Sequence, residues 1–458
     1  MSKPTIHPPL AAAAWPVVRE WAALDDLCTG VFDCPHTTPQ LTDDGPFVVR
    51  SQDVRSGVFR LEEAGRVSAA TYRERIARAE PTFGDILYSR EGTYFGNAAE
   101  VPAGVQVCLG QRMVLIKPRR EAVDSRFLTF WLNSPVLKEH ILGFRDGSVA
   151  ERLNMPTIRN IPVPLVPISE QKRIGEALGA LNDKIELNRR INETLEAMAQ
   201  AIFRDWFVAF GPVRRKLAGE TDPVTIMGGL TRDPARATEL AALFPTALGE
   251  DDLPVGWAES TLGEKTMAVL GGTPSRKVAE YWGGSVPWIN SGAVNEFRIT
   301  QPSELITEQG LSKSAAKLLP RRTTVLAITG ATLGQVSLTE IETSANQSVV
   351  GLVPNGGLPP EFVYLWVMET IDEIVARQTG GAQQHINKGN VEEQRVLSPP
   401  RDILDAWSGL AVPLFDRIAS GCLESHTLVE TRDYLLPRLM SGVVRVGATA
   451  ELAKEVAA

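Results

Sequence analysis

Several features that identify a class of protein at first sight are scarce in this sequence of 458 residues. Its four cysteines and five histidines are scattered, and four cysteines at this length do not make a disulfide framework. No apolar run approaches the ~20 residues of a membrane helix, and the longest, residues 9–18, is short and broken by prolines. No basic segment precedes that run, as a signal peptide requires. We therefore expect no membrane segment and, by default, a cytoplasmic location.

Motifs for catalysis are missing as well. Gly-Lys followed by Ser or Thr does not occur, which excludes a P-loop. Residues 398–401, SPPR, lack the polar lead and the aromatic of the motif that holds a flipped base in amino-methyltransferases. Glu170 and Lys172 fit part of a nuclease motif, but their place at a helix entry favours a solvated face. The histidines have no visible Ser or Cys partner. The sequence therefore argues against a self-sufficient enzyme and indicates no catalytic residue.

Metal binding is disfavoured too. Cys28, Cys34 and His36 lie close together, but no second pair of ligands with zinc spacing follows. Buried or turn residues are the favoured interpretation, and we expect no metal site. The net charge of −8 argues against a surface that is basic throughout. It leaves nucleic-acid binding open, because what matters is the charge on one face.

What the sequence does contain is a weak internal repeat with a period of about 235 residues, too long for a solenoid and typical of a duplicated domain. Gly92 and Gly96 match Gly330 and Gly334, and Asn154 matches Asn387. The matching segments keep their order along the chain: 45–54 with 285–294, 84–96 with 323–334, 107–118 with 343–354, 125–134 with 360–369, and 147–167 with 380–400.

A long helix is predicted after each copy, from about 168 to 207 and from about 403 to 439. Both carry a heptad-like apolar seam, with one slip near Asn188 in the first. At 1.5 Å per residue, about 40 residues would span roughly 60 Å. A core or dimer coiled coil is the plainer interpretation, but the repeat favours packing of the two helices on each other, antiparallel. The seam residues are Ile174, Leu178, Leu181, Ile185, Leu195, Met198 and Ile202, then Leu404, Trp407, Leu414, Ile418, Leu428 and Leu435.

Short β-rich runs with turn signals indicate that each globular copy is mixed α/β (α+β). The predicted fold is thus a duplicated globular domain plus long helix, with two globular domains separated by an antiparallel two-helix coiled coil and a pseudo-twofold. The Gly-, Pro- and charge-rich segment between the copies is predicted to be a linker with one short helical patch. The predicted divisions are 1–165, 166–210, 211–256 (linker), 257–400, 401–442 and 443–458 (a flexible tail).

Several of these segments carry a family resemblance that covers nearly the whole chain. Residues 33–39, DCPHTTP, and 271–294 resemble the starts of target-recognition domains, and 164–208 resembles a central conserved helical region. Residues 241–257 resemble the linker into a second recognition domain. Residues 414–442 depart more, because Gly421 and Ser425 weaken the middle of that helix. The chain resembles the specificity subunit of a type I restriction–modification system.

The resemblance implies a function. Such subunits do no chemistry: each target-recognition domain reads one half of a split double-stranded DNA site. The two helices pack antiparallel, set the spacing and dock two modification (methyltransferase) subunits. The assembled enzyme methylates adenine with S-adenosylmethionine, and restriction (translocase/nuclease) subunits driven by ATP with Mg can join to cleave DNA. These cofactors belong to partner subunits, and we expect none on this chain.

DNA contacts are expected from polar residues that follow apolar strands, in loops present in both copies. The alternative for each Asn or Ser is a turn or cap residue. The candidates are Arg50, Ser51, Gln52, Ser89, Arg90, Tyr94, Gln111, Arg112, Arg145, Ser148 and Arg152 in the first copy, and Asn290, Ser291, Asn295, Thr329, Thr332, Gln335, Asn346, Gln347, Gln383, Gln384 and Lys388 in the second.

Two alternatives stay open from the residues alone. The chain could be a structural coiled-coil protein whose two globular heads bind a ligand other than DNA. The aromatic cluster Trp206, Phe207 and Phe210 could pack on the chain's own core or anchor a modification subunit, and packing is favoured because bulky aromatics at helix ends usually serve the core.

Overall fold

The computed structural model describes residues 8–12, 15, 18, 20–55, 57–144, 152–377 and 385–447. None of the helices in these ranges is both long enough and apolar enough to cross a membrane. The helices, α1 to α13, are Ala69–Arg75, Ser125–Asn133, Pro135–Leu142, Met155–Arg159, Ile168–Phe203, Gly211–Leu217, Pro223–Ile226, Pro234–Leu243, Leu262–Lys265, Glu308–Ser312, Pro360–Ala376, Lys388–Glu392 and Arg401–Met440. The strands, β1 to β21, are Trp21–Ala23, Cys28–Asp33, Thr42–Val49, Val54–Arg55, Val58–Phe59, Gly65–Arg66, Ile86–Ser89, Ala98–Glu100, Val107–Leu109, Met113–Pro118, Pro162–Pro164, Ala258–Thr261, Thr266–Leu270, Trp282–Ile289, Glu304–Ile306, Leu318–Leu319, Thr324–Ala327, Val336–Leu338, Thr343–Ala345, Val349–Pro354 and Arg395–Ser398.

The chain divides into two compact units. Unit 1 comprises residues 1–186 together with 426–458, and unit 2 comprises residues 187–425. Each unit therefore contains one globular copy and a part of both long helices, α5 and α13. A compact unit built from separate chain segments needs those segments to pack on each other, because their buried apolar surface is what holds the unit together.

The globular part of unit 1 is built on a four-stranded antiparallel sheet in the order β2-β10-β7-β8. A second sheet, β6-β3-β9, contains the parallel pair β3 and β9. Strands β1 and β11 form a separate antiparallel pair that brings the start and the end of the domain together. Ile86, Tyr88, Val114 and Ile116 on one face of the first sheet pack with the helix α2, whose Trp131 is fully buried.

Unit 2 repeats the main features of this arrangement, with a fourth strand, β16, in its second sheet. Its antiparallel sheet has the order β13-β20-β17-β18, and its second sheet, β15-β14-β19-β16, contains the parallel pair β14 and β19. Strands β12 and β21 correspond to the closing pair β1 and β11. The structure thus confirms a duplicated α/β domain with a long helix after each copy.

The two long helices are close to their predicted bounds. Helix α5 runs for 36 residues and ends in a π-helical turn, Arg204–Val208. Helix α13 runs for 40 residues without interruption. Gly421 and Ser425 do not interrupt it, and the Ser425 hydroxyl donates to the Gly421 carbonyl within the helix at 2.8 Å.

Helices α5 and α13 run antiparallel wherever they meet within a unit. In unit 2, Asn188 pairs with Glu424 and Asn192 pairs with Cys422, so the partner position falls as the α5 position rises. In unit 1, Glu170 and Arg173 line one cavity with Leu439 and Met440, and the Arg432 guanidinium donates to Asn182 Oδ1 at 2.9 Å, so the α13 position falls there too as the α5 position rises.

The buried face of α5 differs from the predicted seam in its second half. Ile174 and Leu178 are buried as predicted, but further along the helix the buried positions are Asn188, Asn192 and Glu196, then Ala199 and Phe203. Their steps of four, four, three and four residues depart from strict heptad alternation at Glu196. Of the other predicted seam residues, Leu404, Trp407 and Ile418 are buried, and Leu181, Ile185, Leu195, Ile202, Leu414, Leu428 and Leu435 are partly buried.

Met198 was predicted to lie in the buried seam, and the structure shows that it does not. Half of its side chain, 50%, is exposed, and Leu187 is 51% exposed. With the partly buried Ile191 they form a second apolar stripe on α5, spaced by four and seven residues. This stripe, named the outer stripe below, lies beside the face that packs on α13. The spacing of the apolar residues was compatible with burial of either face of α5. Contacts of Asn188, Asn192 and Glu196 with residues distant in the sequence determine which face is buried.

The segment 211–256 is more ordered than its composition indicated. It forms three short helices, α6, α7 and α8, where one helical patch was predicted. Val213, Ile226, Leu240 and Phe244 are buried in the same core as α11 and α13. The segment is therefore a packed part of unit 2.

The aromatic residues at the end of α5 serve this core. Trp206 and Phe207 are 1% and 0% exposed, and Phe210 packs edge-on against Trp257 at a centroid distance of 5.7 Å. The Trp206 ring packs edge-on against Phe244 at 5.0 Å. The structure thus favours the packing interpretation of this cluster.

We predict that Phe244→Ala lowers the free energy of unfolding of unit 2 by about 3–5 kcal/mol, because it leaves a cavity beside Trp206. Val255→Ala in the same segment is the matched control, since Val255 is 55% exposed and its truncation should change little. Chemical denaturation followed by tryptophan fluorescence measures both. Equal, small effects would show that the segment is a linker after all.

Candidate nucleic-acid interface

The candidate residues of unit 1 gather where parallel strands end. Strands β3 and β9 are paired through Val49 and Leu109, so Arg50 and Gly110 follow at the same edge. The Gly110 amide donates to the Val49 carbonyl at 2.7 Å. The Arg90 amide, just past β7, donates to the Arg112 carbonyl at 3.0 Å. We call the first loop surface the set Arg50–Gln52, Arg90–Tyr94, Gly110–Arg112 and Arg152.

Unit 2 builds an equivalent edge. Strands β14 and β19 are paired through Ile289 and Ala345, and the Asn346 amide donates to the Ile289 carbonyl at 3.0 Å. The Ile328 amide, just past β17, donates to the Ser348 carbonyl at 2.9 Å. We call the second loop surface the set Asn290–Ser291, Thr329–Gln335, Asn346–Gln347, His385 and Lys388.

The same backbone contacts hold both surfaces. Leu153 donates to the Arg90 carbonyl at 3.0 Å, and Ile386 donates to the Ile328 carbonyl at 3.0 Å. An isolated bridge pairs Glu91 with Arg152 in the first, and another pairs Thr329 with His385 in the second. Asn154 and Asn387, the pair matched in the sequence, each cap the helix that follows these contacts. The repeat therefore preserves a backbone frame, while the side chains on it differ.

Glycine is required at the turns of this frame. Gly96 and Gly334 have φ of 77° and 84°, in the left-handed region that favours glycine. A Cβ on Gly96 would lie 2.9 Å from Ile141, and one on Gly334 would lie 3.0 Å from Val375. The turn after β7 or β17 can thus pack directly on a helix of its own domain.

The arginines of the first loop surface are paired with carboxylates. Arg50 makes two hydrogen bonds to Asp53, at 3.0 and 3.1 Å, and Arg90 donates to Asp33 at 3.0 Å. Arg112, which is 53% exposed, lies 3.3 Å from Glu91. Bidentate and partly buried pairs fix a guanidinium in place. Arg50 and Arg90 are therefore held by the fold, and Arg112 is the better placed of the three to reach a DNA phosphate or base.

The second loop surface presents amides and hydroxyls instead. Asn290 Oδ1 accepts from the Gly292 amide at 2.8 Å, and Asn346 Oδ1 accepts from the Ser348 amide at 3.0 Å. Asn295 donates to the Gly292 carbonyl at 3.2 Å, and Thr332 donates to the Thr329 carbonyl at 3.3 Å. These are turn and cap contacts, which the sequence offered as the alternative. Gln335 and Gln347 are exposed, and Gln347 accepts a hydrogen bond from Thr273.

One candidate DNA contact, Ser89, was predicted to lie in an exposed loop, which the structure contradicts. Ser89 is fully buried, because it is the last residue of strand β7 and pairs with Met113. Arg145, Ser148, Gln383 and Gln384 lie outside the described residues. The remaining candidates are exposed, as are Gln52, Arg152 and Asn290, or partly buried, as are Ser51, Tyr94, Gln111, Ser291 and Lys388.

Two arginines that the sequence did not single out lie beside these surfaces. The Arg55 guanidinium stacks 3.8 Å above the Tyr94 ring. The Arg276 guanidinium stacks 3.5 Å above the Trp282 ring and pairs with Glu304. Arg276 belongs to the segment 271–294, whose SRKVAEYW run places the cation near the tryptophan in sequence. The closeness of Arg276 and Trp282 in the sequence could have indicated this cation–π contact.

Cys28 and Cys34, two of the three candidate metal ligands near the start of the chain, are packed in different parts of unit 1. Cys28 and Cys34 belong to two different hydrophobic clusters. Burial raises the pKa of the Cys28 thiol to about 12 and raises that of Cys34 as well. Thiols held protonated by burial are poor metal ligands, because the thiolate is the ligand.

Comparison with known proteins gives a family match. The model of the type I restriction modification DNA specificity domain matches the chain twice, at residues 71–197 and 254–403, which together exceed half of its length. The two matches cover most of each globular copy and, in the first, the greater part of α5.

Individual relatives carry the same description. The type I restriction enzyme HindI specificity subunit of Haemophilus influenzae is 27% identical over 399 residues, covering 79% of this chain and 86% of that protein. The MjaIX specificity subunit of Methanocaldococcus jannaschii is 22% identical over 332 residues, covering 71% of each. The crystal structure of a type I restriction–modification S subunit from M. genitalium shares the fold, with a TM-score of 0.53, at 16% identity over 93% of this chain and 96% of that one.

We predict that Arg90→Ala lowers the free energy of unfolding of unit 1 by about 2 kcal/mol, because the Asp33 carboxylate loses a charged hydrogen-bond donor. Gln52→Ala on the same loop surface is the control, and its effect should stay within about 0.5 kcal/mol because Gln52 is exposed. Denaturant titration compares the two variants. An Arg90→Ala variant as stable as the wild type would show that Arg90 is free for ligand contact.

Proposed function

Because the chain belongs to the type I restriction–modification DNA specificity family, we propose that each of its globular domains reads one half of a bipartite, asymmetric double-stranded DNA site. The observation that carries this proposal is the contrast between the two loop surfaces. Their backbone frames are the same, but one presents arginines with carboxylates and the other presents amides and hydroxyls. Two readers with different side chains fit two different half-sites.

The chain is a specificity subunit, and subunits of this family are not themselves the catalysts. We propose that adenine methylation with S-adenosylmethionine, and ATP- and Mg-dependent cleavage where a restriction subunit joins, take place in partner subunits of a cytoplasmic complex. A net charge of −8 supports a division of labour. Affinity for duplex DNA comes mainly from cations on the phosphates, so an acidic reader gains much of it from its partners.

The outer stripe of α5 is the proposed docking surface for a modification subunit. Leu187 and Met198 expose about half of their side chains, and an apolar stripe at this spacing fits the apolar face of another helix. The face of α5 toward α13 is already filled. A modification subunit that supplies an apolar helix would cover the outer stripe without disturbing the α5–α13 contact.

The lengths of α5 and α13 are proposed to set the gap between the half-sites. At 1.5 Å per residue, their 36 and 40 residues correspond to about 54 and 60 Å. Proteins that read separated half-sites match their own spacing to that of the DNA. A helix that connects two readers can therefore act as the measure of the gap.

We predict that Gln347→Ala relaxes one half-site by about tenfold, since a good amide contact to a base discriminates by about 1–3 kcal/mol. Gln111→Ala, at the equivalent position of the first copy, should relax the other half-site. Methylome sequencing of a host that carries the complex reports both half-sites and the gap together. Loss of complex assembly in either variant would show that the glutamine is structural, and relaxation of both half-sites by one variant would contradict separate readers.

We predict that Leu187→Glu combined with Met198→Glu prevents co-purification with the modification subunit, because two carboxylates would be buried in an apolar contact. The thermal stability of the isolated chain should stay close to that of the wild type, since both side chains are half exposed. Ala197→Glu, on an exposed position of α5, is the matched control for added charge. An intact complex in the double variant would exclude the outer stripe as the docking surface.

A further inference from the structure

The buried face of α5 carries polar side chains where a heptad pattern would place apolar ones. Asn188, Asn192 and Glu196 follow each other at intervals of four residues and are 1%, 4% and 6% exposed. A buried polar group costs free energy unless a partner satisfies it. The positions of the partners therefore constrain how α5 lies against its neighbours within unit 2.

Both asparagines find their partners on α13. Asn188 Nδ2 donates to Glu424 Oε2 at 2.8 Å and lies 3.4 Å from the Ser425 hydroxyl. Asn192 Nδ2 donates to the Cys422 sulfur at 3.3 Å. A shift of α5 by one turn would separate both amides from these atoms together, because the two contacts share one register.

Asn192 also matches a glycine on α13. A Cβ built on Gly421 would lie 2.5 Å from Asn192 Oδ1, far inside van der Waals contact. Glycine in a helix interior lowers helix propensity, and Gly421 sits in the middle of a 40-residue helix. The close approach of Asn192 gives the physical reason for it. In a neighbouring register Asn192 would meet a residue with a side chain.

Glu196 fixes α5 against the recognition domain of unit 2. Its carboxylate pairs with Arg298, whose side chain is fully buried, and accepts from the Tyr364 hydroxyl at 2.9 Å. Arg298 also donates to the Phe297 carbonyl at 2.7 Å. Separating a buried pair leaves an uncompensated charge, which is strongly unfavourable. Translation of α5 relative to this domain is therefore resisted.

Helix α13 is anchored to the same domain by a neighbouring arginine. Arg322 contacts Glu361 on α11 and Asp416 on α13, each at 2.7 Å. Within unit 2, both long helices are thus tied by charged contacts to one domain, and the two asparagines tie the helices to each other.

We propose that Asn188, Asn192 and Glu196, together with Gly421, are register-setting residues that hold α5 and α13 in one longitudinal register and so restrict the protein to one gap between half-sites. This inference rests on the proposed function, in which the helices set that gap. Polar residues at core positions of helix pairs reduce stability and select register, whereas an apolar seam allows neighbouring registers of similar energy.

The test uses the full chain co-expressed with its modification subunits. Methylome sequencing of the wild-type complex first identifies the two half-sites. A plasmid library then carries both half-sites with every gap from two base pairs shorter to two longer than the wild-type gap. Methylation read from each plasmid gives a gap preference for Asn188→Leu with Asn192→Leu, for the wild type, and for the control Ala197→Leu, an exposed position of α5 that lies outside the outer stripe.

In the Asn188→Leu/Asn192→Leu variant, the preference for the wild-type gap over its neighbours should fall by about tenfold, which corresponds to about 1.4 kcal/mol. Its melting temperature should be no lower than that of the wild type. The Ala197→Leu control should keep the wild-type preference. An unchanged gap preference in the double variant overturns the inference.

A second series remains decisive if the leucine variant fails to assemble. Gly421→Ala places a methyl group against Asn192 Oδ1 and should lower or shift the gap preference, whereas Gly409→Ala in the same helix, where an added Cβ meets nothing within 4 Å, should leave it unchanged. A Gly421→Ala protein with the wild-type gap preference overturns the inference. Absence of any sequence-selective methylation by the wild-type complex would instead overturn the proposed function.

Discussion

The contact between α5 and α13 is the constraint on which the rest of the molecule depends. Buried residues of α5 run from Ile174 to Phe203, with the partly buried Leu181 and Ile185 between them, and α13 meets this face in the opposite direction in each unit. Neither globular copy closes its core without these helices: Leu178 and Leu436 belong to the core of unit 1, and Phe203 and Trp407 to that of unit 2. The residues through which α5 and α13 pack therefore also stabilise the globular domain of each unit.

The duplicated domains show which features the fold demands and which it leaves free. Strand order, the parallel pair, the backbone contacts past β7 and β17, and the left-handed glycines are the same in both copies. The side chains on the resulting edge are not the same. A rigid frame that holds variable loop residues is the arrangement in which recognition can diverge at little cost to stability. The amides and arginines of the two edges are therefore the residues in which we propose that the target sequence is encoded.

Much of this architecture was readable from the sequence, because local patterns determine it. The glycines follow from the residue preferences of tight turns. The repeated segments are recognised by their order along the chain, and both long helices by the spacing of their apolar residues. The second half of the α5 seam did not follow. Ile191, Leu195, Met198 and Ile202 keep a heptad-like spacing. The polar face is the buried one because its partners, Glu424 and Cys422 on α13 and Arg298 and Tyr364 in the domain, lie more than a hundred residues away in the sequence.

The candidate interface was predictable in its location but less so in its members. The structure brings the loops that follow apolar strands together at one edge of each domain, since strand ends meet there. The sequence could not show that Asp33 neutralises Arg90, or that Ser89 still belongs to its strand, because both depend on pairing with distant residues. Segment 211–256 has the Pro and Gly content of a linker, yet its spaced apolar residues are enough to join a core.

Unit 2 is one continuous stretch of chain, whereas unit 1 is completed by residues from 426 onward. During synthesis, all residues of the second recognition domain therefore emerge before residues 426 onward, which the first domain still needs. Leu436, Leu439 and Met440, which fill the core of unit 1, leave the ribosome after the whole of unit 2. A product truncated before them would carry one finished domain and one with an open apolar core, which is the kind of surface that chaperones and proteases recognise.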